Sequence, residues 1–540
     1  MFTFFHGYLP QVWQAYADRG LLDENAGLRV CQVVTVEPER QFNQIAKKGG
    51  DLWNYQKENR LPMYVDRLQG GCHYYAYPYD RALLAEWRDL LGENFRGFQM
   101  HEWMNNICAD VRKLDRGGCP EWKAEAIEAT IRKLFPTPWL FLESMSAEEL
   151  EKAGRPTTAE DVLRIAENLL EMRMRATDGQ LITCDSSSMA LQMEAAHGVR
   201  ATMPEIGAQT EDARIQISYA RGMSRAHGTP FGAYLEPWAG RPATAFCYQR
   251  DGLNEWGISM KNFPYQTNGE SGGSSLYLQG RMQVYSYFAG ATFMAEEWGV
   301  CNTFYDWNDF ELSPYGKLKR DFLGLVRKYE ADRGEFYAPF GVVLSREVPV
   351  LPRLCEGDTM YGLPIVSALR EKMAIAREGM RALLSKPTPM CGNEKHTLIN
   401  SELPDAFDIL HDDTPEAFSR YEYLIDLTGD PTFAKKQKCA KIEDIPALLP
   451  KVMPCTVEGG LHWFLNRTKQ GWRLIILNND GIEKLPKDGL HILPEGDHTA
   501  TVRLRDGGEL RGMEGPAPER SDDGSYKLFL PSGTWAVLAF

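Results

Sequence analysis

The first 335 residues alternate short apolar segments with helical patterns, and this alternation constrains the fold more than any other feature of the chain. The apolar segments are 3–9, 28–36, 62–68, 96–103, 180–186, 199–206, 229–236 and 291–298. Short apolar strands separated by helices predict a parallel sheet. Eight of them over about 300 residues predict a closed (β/α)8 TIM barrel at 1–335, an α/β fold.

Helical patterns fill the intervals between these segments, at 80–92, 189–197, 211–227 and 276–289. The connection between the fourth and fifth segments is unusually long and carries helical patterns at 121–134 and 158–175. The second of these opens with Thr-Ala-Glu-Asp, the spacing of a capping box. An insertion at this point would rise from the C-terminal face of the barrel and form one wall of a cleft.

The rest of the chain changes pattern twice. Residues 336–455 mix a helix at 363–384 with short strands such as 422–427, which predicts a small α/β (flavodoxin-like) domain. Residues 456–540 alternate strands and turns, which predicts a C-terminal β-sandwich. A chain of 540 residues is too long for one core, so several domains are expected.

Charge and cysteine content narrow the function classes. The net charge is −14, from 60 basic and 74 acidic residues without a basic block, so no nucleic-acid partner is expected. The 11 cysteines are scattered and form no C-x-x-C pair, which predicts neither a metal site nor a redox pair and favours a reducing compartment. Without a signal peptide or an 18-residue apolar stretch, the chain is predicted to be cytoplasmic and not in a membrane, with no cofactor.

Acidic residues stand at the ends of several predicted strands, namely Asp66, Glu102, Glu205, Glu236, Glu296 and Glu297. In a (β/α)8 barrel the C-terminal ends of all strands converge on one mouth. Two carboxyl groups about 5–5.5 Å apart cleave glycosidic bonds with retention of configuration, and a wider separation leads to inversion. The pattern therefore predicts a carbohydrate substrate, with Trp and Tyr rings available to pack on sugar faces.

The strand count ranks the candidates. Glu102 ends the fourth strand in Met-His-Glu-Trp, and Glu236 ends the seventh just before Pro237, where the chain must turn out of the barrel. Glu297 and Glu205 are further catalytic candidates. Rim ion pairs with Arg96, Arg112 or Arg241 are the structural alternatives for the first two. Expected substrate-binding residues are Asp66, Arg67, His101, Trp103, Asn106, Tyr234, Trp238, Glu296 and Trp298; because neighbouring strand residues face opposite ways, only one of Glu296 and Glu297 can face the mouth.

The layout and the stretches AGATFMAEEWGVCNTF and DRGEFYAPFGVVL resemble the clan-A glycoside hydrolases, in particular the β-galactosidases with a barrel, a trimerisation-like domain and a C-terminal β-domain. The resemblance implies that Glu102 is the acid/base, Glu236 the nucleophile and Trp298 the floor of the sugar site, and that the middle domain mediates a homo-oligomer. The clan usually has Asn before the strand-four Glu. This chain has His101, which indicates a divergent member in which Glu297 or Glu205 is an alternative nucleophile.

The sequence thus predicts a retaining exo-glycosidase that hydrolyses β-glycosidic bonds of oligosaccharides or glycosides by a two-carboxylate mechanism. Two alternatives stay open at this point. One is an inverting or glycosyl-transferring enzyme on the same barrel, and the other is a non-catalytic carbohydrate-binding protein.

Overall fold

The computed structural model describes most of the chain. The described residues are 2, 10–31, 42–66, 80–105, 107–108, 158–185, 188–207, 213–237, 245–247, 266–268, 273–297, 299–306, 308–350, 359–360, 363–384, 397–437, 439–485 and 489–540.

The N-terminal part is built on a seven-stranded parallel sheet with the order β1-β2-β3-β4-β5-β6-β9. The strands up to this point are β1 Leu28–Cys31, β2 Met63–Asp66, β3 Phe95–His101, β4 Leu181–Asp185, β5 Ala201–Gly207, β6 Gly232–Glu236, β7 Ala245–Cys247, β8 Gln266–Asn268 and β9 Phe293–Glu296. Strands β7 and β8 form a separate parallel pair. The seven-stranded sheet forms most of a barrel wall and is consistent with a (β/α)8 barrel.

Each of the seven strands of this sheet overlaps one predicted apolar segment and extends at most one residue beyond it, and β1 confirms the second segment. The first predicted strand, 3–9, lies outside the described residues. Phe2, just before it, forms a parallel bridge with Met294 of β9, at the sheet edge that an eighth strand would occupy. Glu102 therefore follows the strand that the sequence numbers as the fourth, and Glu236 ends the one that it numbers as the seventh.

Helices cover the outside of this sheet and continue into the later parts of the chain. They are α1 Pro10–Asp18, α2 Phe42–Ile45, α3 Asp51–Asn59, α4 Arg81–Leu91, α5 Ala159–Ala176, α6 Leu191–Ala196, α7 Ala213–His227, α8 Leu276–Phe288, α9 Gly299–Thr303, α10 Pro314–Tyr329, α11 Ser367–Leu383, α12 Phe433–Lys436 and α13 Ile445–Val452. The predicted capping box starts α5, where Thr158 and Asp161 exchange side-chain to backbone hydrogen bonds. The helical pattern at 121–134 lies outside the described residues.

A second, four-stranded parallel sheet follows, with the order β14-β11-β15-β16. The strands in this stretch are β10 Glu335–Phe336, β11 Phe340–Leu344, β12 Thr359–Met360, β13 Leu363–Pro364, β14 Phe407–His411, β15 Tyr423–Leu427 and β16 Cys439–Ala440. With α11 between the strands, this is an α/β unit, as the sequence predicts.

Antiparallel strands make up the C-terminal part: β17 Cys455–Glu458, β18 His462–Arg467, β19 Trp472–Leu477, β20 Ile482–Leu485, β21 Gly489–Ile492, β22 His498–Leu504, β23 Arg511–Glu514, β24 Glu519–Arg520, β25 Tyr526–Leu530 and β26 Trp535–Ala539. They form a five-stranded sheet, β10-β18-β19-β26-β23, and a four-stranded sheet, β17-β22-β25-β24. Strand β10 thus joins the C-terminal sheet although it precedes the α/β unit. The domain boundaries at 335 and 455 stay predictions.

The barrel helix α7 packs directly on strand β14 of the second sheet. A Cβ added at Gly222 would lie 2.0 Å from the carbonyl oxygen of Ile409, so only glycine permits this approach. A buried ionic network crosses the same contact, because Asp408 accepts hydrogen bonds from Arg221 and Arg225 of α7, each at 2.5 Å. Tyr421 donates a third, at 3.0 Å. Polar groups as well as packing therefore join the two units.

Among the helices that the structure describes, none combines the length and the apolar composition needed to cross a bilayer.

Candidate active site

The side chains inside the barrel identify the inward positions of each strand. A compact buried cluster fills the interior and consists of Tyr64, Ile182, Cys184, Ala201, Met203, Tyr234, Phe293 and Ala295. Strand residues two apart share a face. The next inward positions after Met203, Tyr234 and Ala295 are Glu205, Glu236 and Glu297, all at the C-terminal end of the sheet. Three of the four predicted catalytic carboxylates therefore face the same mouth.

The same alternation separates Glu296 from Glu297. The Glu296 side chain points away from the interior, where its carboxylate lies 2.8 Å from the Lys319 ammonium and accepts a hydrogen bond from Asn302 at 2.9 Å. Its neighbour Glu297 lies with Oε1 4.0 Å from Nε2 of His101. The expectation that Glu296 binds substrate is corrected: it forms a buried ion pair with helix α10, and Glu297 is the inward member.

Glu102 reaches the mouth by leaving the strand conformation. His101 faces inward, so a regular strand would point Glu102 outward. Instead, Glu102 has φ +44°, in the left-handed region that non-glycine residues rarely adopt, and its amide donates to the Cys184 carbonyl at 2.7 Å. Asp185 fixes the turn by accepting from the amides of Met104 and Asn105 at 2.8 and 3.2 Å. Backbone strain of this kind costs about 1–3 kcal/mol and is typical of functional sites.

The four carboxyl groups interact electrostatically. Burial raises the pKa of Glu236 to about 8, and the negative charges of Glu297 and Glu102 add to this effect. Burial also raises the pKa of Glu205 well above its usual value, supported by the charges of Glu102, Glu236 and Glu297. Contact between the two side chains further raises the pKa of Glu205 and lowers that of Glu236. Protonation of this buried pair is thus favoured next to the other two acids.

Basic groups lie beneath the carboxyl groups. Nε2 of His101 is 3.3 Å from Oε1 of Glu205, and the His101 ring packs edge-on against the ring of Tyr234. The fully buried Arg29 of β1 donates to the Tyr234 hydroxyl at 2.6 Å and to the Glu296 carbonyl at 2.9 Å. Tyr234, expected to bind sugar hydroxyls, is itself fully buried and bonded to Arg29. It supports the floor of the mouth, and this corrects its predicted role.

Trp103 also departs from its predicted role. Its side chain is completely buried in the main hydrophobic core, and its indole N–H donates to Glu194 at 2.7 Å. A ring enclosed on both faces cannot pack on a sugar. Glu194 is itself buried, and burial raises its pKa to about 7.

Arg67, Asn106, Trp238 and Trp298 lie outside the described residues. Asp66 ends β2 as predicted, but its side chain is not among the described ones.

Sequence reasoning missed Arg29, Gln99 and Gly207. Arg29 is a single charged residue in an otherwise apolar strand, and Gln99 stands between two apolar residues, which is the one signal that could have marked them as interior residues. Gly207 carries no such signal. Its importance comes from its place opposite Glu236 in the β5–β6 register.

Gly207 leaves room for Glu236. A Cβ added at Gly207 would lie 2.5 Å from both the Cβ and the carbonyl oxygen of Glu236. On the other side, the Gly207 carbonyl accepts a hydrogen bond from the Thr397 hydroxyl at 2.8 Å, so the strand end cannot easily move away. Residue 397 belongs to the segment before β14, which thereby reaches the rim of the mouth.

We expect Gly207→Ala to destabilise the protein by about 1–3 kcal/mol, because the methyl group overlaps backbone atoms that are held in place. It should also displace Glu236 and lower any activity that depends on this residue. Urea unfolding of Gly207→Ala and of Gly324→Ala measures the effect. Gly324 lies in α10 with open space around its Cβ position, so its alanine variant should be as stable as the wild type or slightly more stable. Equal stability of the two variants would contradict the prediction.

Comparison with known proteins completes the description of the site. No family model matches the sequence, and a search of curated proteins found no match. Several solved structures resemble the fold over nearly its whole length.

Among them is a catalytic mutant of a GH42 β-galactosidase from G. stearothermophilus, with a TM-score of 0.48, 9% identity and coverage of 99% of this chain and 98% of that one. Another is α-L-fucosidase isoenzyme 2 from Paenibacillus thiaminolyticus, with a TM-score of 0.47, 9% identity and coverage of 98% of this chain and 95% of that one. A third is a GH42 exo-carrageenase from Bacteroides ovatus, with a TM-score of 0.45, 9% identity and coverage of 99% of this chain and 82% of that one. At this similarity the residues of the site itself must carry any functional interpretation.

Proposed function

We propose that the protein is a glycoside hydrolase that acts on β-glycosidic bonds with retention of configuration. The observation that carries the proposal is the convergence of Glu102, Glu205, Glu236 and Glu297 at one end of the parallel sheet. Alternation along the strands directs the last three to one mouth, and the left-handed turn at Glu102 keeps its charge within reach of theirs. Glycosidic cleavage requires a proton donor and a second carboxylate across the anomeric carbon.

Glu102 is assigned as the acid/base. It is partly exposed, whereas Glu205 and Glu236 are buried, so it is the carboxyl group that a leaving group at the rim can meet first. Its strained backbone also fixes the direction of the side chain independently of β3. Glu102 would protonate the glycosidic oxygen and then activate the water that releases the sugar.

Glu236 is assigned as the nucleophile. It ends its strand facing inward, it interacts electrostatically with Glu102, and the Glu205 hydrogen bond orients it. The ionised form of Glu236, which predominates above its raised pKa of about 8, would attack the anomeric carbon and form the covalent glycosyl-enzyme as the bond to the leaving group breaks. Glu297 is the alternative nucleophile, because it faces the same mouth from β9. A three-domain layout and an oligomer through the middle α/β unit are also part of the proposal.

We expect Glu102→Gln to lower the hydrolysis of aryl glycosides with poor leaving groups at least about a hundredfold, since it removes general acid catalysis. Substrates with good leaving groups need less protonation, so their glycosylation step should be much less affected. The kcat/KM of both substrate types checks this, with Glu58→Gln, an exposed carboxylate of α3, as the control. An equal loss on both substrates, or none, would rule out Glu102 as the acid.

Product stereochemistry tests the rest of the proposal. NMR of the first-formed product should show the anomeric configuration of the substrate. The Glu236→Gly variant should be inactive and, with azide, should give the glycosyl azide of inverted configuration. Azide rescue of Glu297→Gly instead would identify Glu297 as the nucleophile. A hydrolysis product of inverted configuration would show that the enzyme is inverting rather than retaining. A screen of aryl glycosides without any turnover would favour a carbohydrate-binding protein.

A further inference from the structure

Three different donor atoms converge beneath the carboxylate mouth from neighbouring strands. His101 of β3 and Cys184 of β4 are direct partners in the parallel register. Oε1 of Glu205 on β5 lies 3.3 Å from Nε2 of His101 and 3.3 Å from Sγ of Cys184. All three side chains are buried, and one donor atom of each lies within 4.8 Å of the other two. Rigid strands, rather than loops, hold this arrangement.

We propose that His101, Cys184 and Glu205 bind a transition-metal dication of the Zn²⁺ class. Zinc binds imidazole nitrogen, carboxylate oxygen and thiolate sulfur at about 2.0–2.3 Å with tetrahedral geometry. Bonds of these lengths place neighbouring donor atoms roughly 3.3–3.7 Å apart. Two of the three donor separations already have this value, so an ion could enter with little rearrangement.

The type of donor atoms selects the class of ion. A set of nitrogen, sulfur and oxygen suits Zn²⁺ or Co²⁺, because a thiolate is a soft ligand. Mg²⁺ and Ca²⁺ take oxygen ligands almost without exception and would not use Cys184. Three protein ligands leave a fourth position for water or for Glu297, whose Oε1 lies 4.0 Å from Nε2 of His101.

Gln99 is placed to orient the His101 ring as a metal ligand. Its side-chain nitrogen lies 3.1 Å from Nδ1 of His101, and its buried oxygen, Oε1, has no hydrogen-bond partner among the described residues. The orientation of a side-chain amide is assigned from its hydrogen-bond network. With the amide turned over, Oε1 accepts the Nδ1 proton and the lone pair of Nε2 faces Cys184 and Glu205. A hydrogen-bond acceptor on the second ring nitrogen is typical of metal-binding histidines.

The electrostatic surroundings favour a cation at the same point. The carboxyl groups of Glu102, Glu236 and Glu297 surround Glu205. No nitrogen or hydroxyl donor of the described residues reaches its second oxygen, Oε2. On binding, the Cys184 thiol and the Glu205 carboxyl group each release a proton to solvent, and the resulting thiolate and carboxylate bind the ion. Because the ion would occupy the Glu205 carboxylate beside the other acids of the mouth, the proposed hydrolysis should be reversibly inhibited.

Titration of the chelator-treated full-length protein with Co²⁺ tests the proposal by absorption spectroscopy. We expect about one Co²⁺ per chain to produce a thiolate-to-cobalt charge-transfer band together with the visible bands of a four-coordinate ion. Zn²⁺ should displace the Co²⁺ and abolish both. A wild-type protein without a charge-transfer band would overturn the proposal, and this result depends on no variant. The readout also does not depend on hydrolysis, so it stands or falls separately from the proposed function.

Matched variants locate the ion. Cys184→Ser should lose the charge-transfer band, and Gln99→Ala should weaken Co²⁺ binding by about 10–100-fold. Cys439→Ser, in the distant β16, should keep the wild-type spectrum. An unchanged band in Cys184→Ser, with folding verified by circular dichroism, would refute the assignment. The surface cluster of Glu167, Glu171 and His197 has no sulfur, so an ion bound there gives no such band.

Discussion

The Asp408→Ala protein is expected to lose about 3–5 kcal/mol of unfolding free energy. Asp408 is completely buried and accepts hydrogen bonds from Arg221, Arg225 and Tyr421. Removal of its carboxylate leaves guanidinium groups in a place that water barely reaches. The penalty arises mainly from these uncompensated charges, since a buried ion pair by itself adds little net stability.

The surroundings of Arg221 limit how far the structure can relax. Its guanidinium also donates to the Phe407 carbonyl at 2.9 Å and lies 3.4 Å from the centre of the Phe336 ring. Its remaining acidic neighbour, Asp405, is 3.6 Å away and is already engaged by the Tyr285 hydroxyl at 2.6 Å. Arg221 therefore has little freedom to find water. Because helix α7 also packs tightly on β14, the loss should loosen the contact between the barrel and the second sheet.

Urea unfolding at neutral pH, followed by tryptophan fluorescence and circular dichroism, measures this effect. The control is Glu86→Ala, which breaks an exposed ion pair with Lys48 and should cost less than about 1 kcal/mol. Asp408→Asn removes the charge but keeps the side-chain volume and one acceptor oxygen. Its free energy of unfolding should lie between those of Asp408→Ala and the wild type. A loss below 1 kcal/mol in Asp408→Ala would show that the network contributes nothing to the contact.

The second large effect concerns Glu194, whose buried carboxyl group has its pKa raised from 4.5 to about 7. In the unfolded chain this group ionises near pH 4.5, whereas in the folded protein it keeps its proton to about pH 7. The folded state binds more protons in between, so the stability that Glu194 contributes falls as the pH rises from about 4.5 through 7. A shift of this size corresponds to about 3 kcal/mol.

Glu194→Gln removes this ionisation and keeps an oxygen that can accept the Trp103 indole proton. We expect the stability difference between the variant and the wild type to increase by about 3 kcal/mol in favour of the variant from pH 4.5 to pH 8. Other buried acids titrate in both proteins and cancel in the difference. The exposed Glu58→Gln serves as the control, and its difference curve should stay flat. A flat curve for Glu194→Gln would disprove the raised pKa.

The alternation of apolar segments and helices was sufficient to predict the parallel sheet. Seven of the eight predicted strands are present among the described residues, including the short β1, on which the strand count depends. Strands with both faces covered are largely apolar, so a single sequence shows them clearly. The same pattern placed Glu205, Glu236 and Glu297 at strand ends, and parallel strands bring such ends to one edge.

The tertiary structure decided which of these side chains face each other. Glu296 and Glu297 are equivalent in the sequence, and only the interior cluster shows that Glu297 faces inward while Lys319 holds Glu296 outside. Glu102 gains access through a single left-handed residue, which no composition or periodicity indicates.

Trp103 shows that the sequence also does not reveal which side chains are buried. The sequence shows an aromatic ring beside a candidate acid, but only the fold shows that both of its faces are buried. The sequence by itself therefore determined the sheet and the set of acids, because these follow from local periodicity. Orientation, burial and proton sharing depend on contacts between residues far apart in the chain, and for that reason only the tertiary structure could assign them.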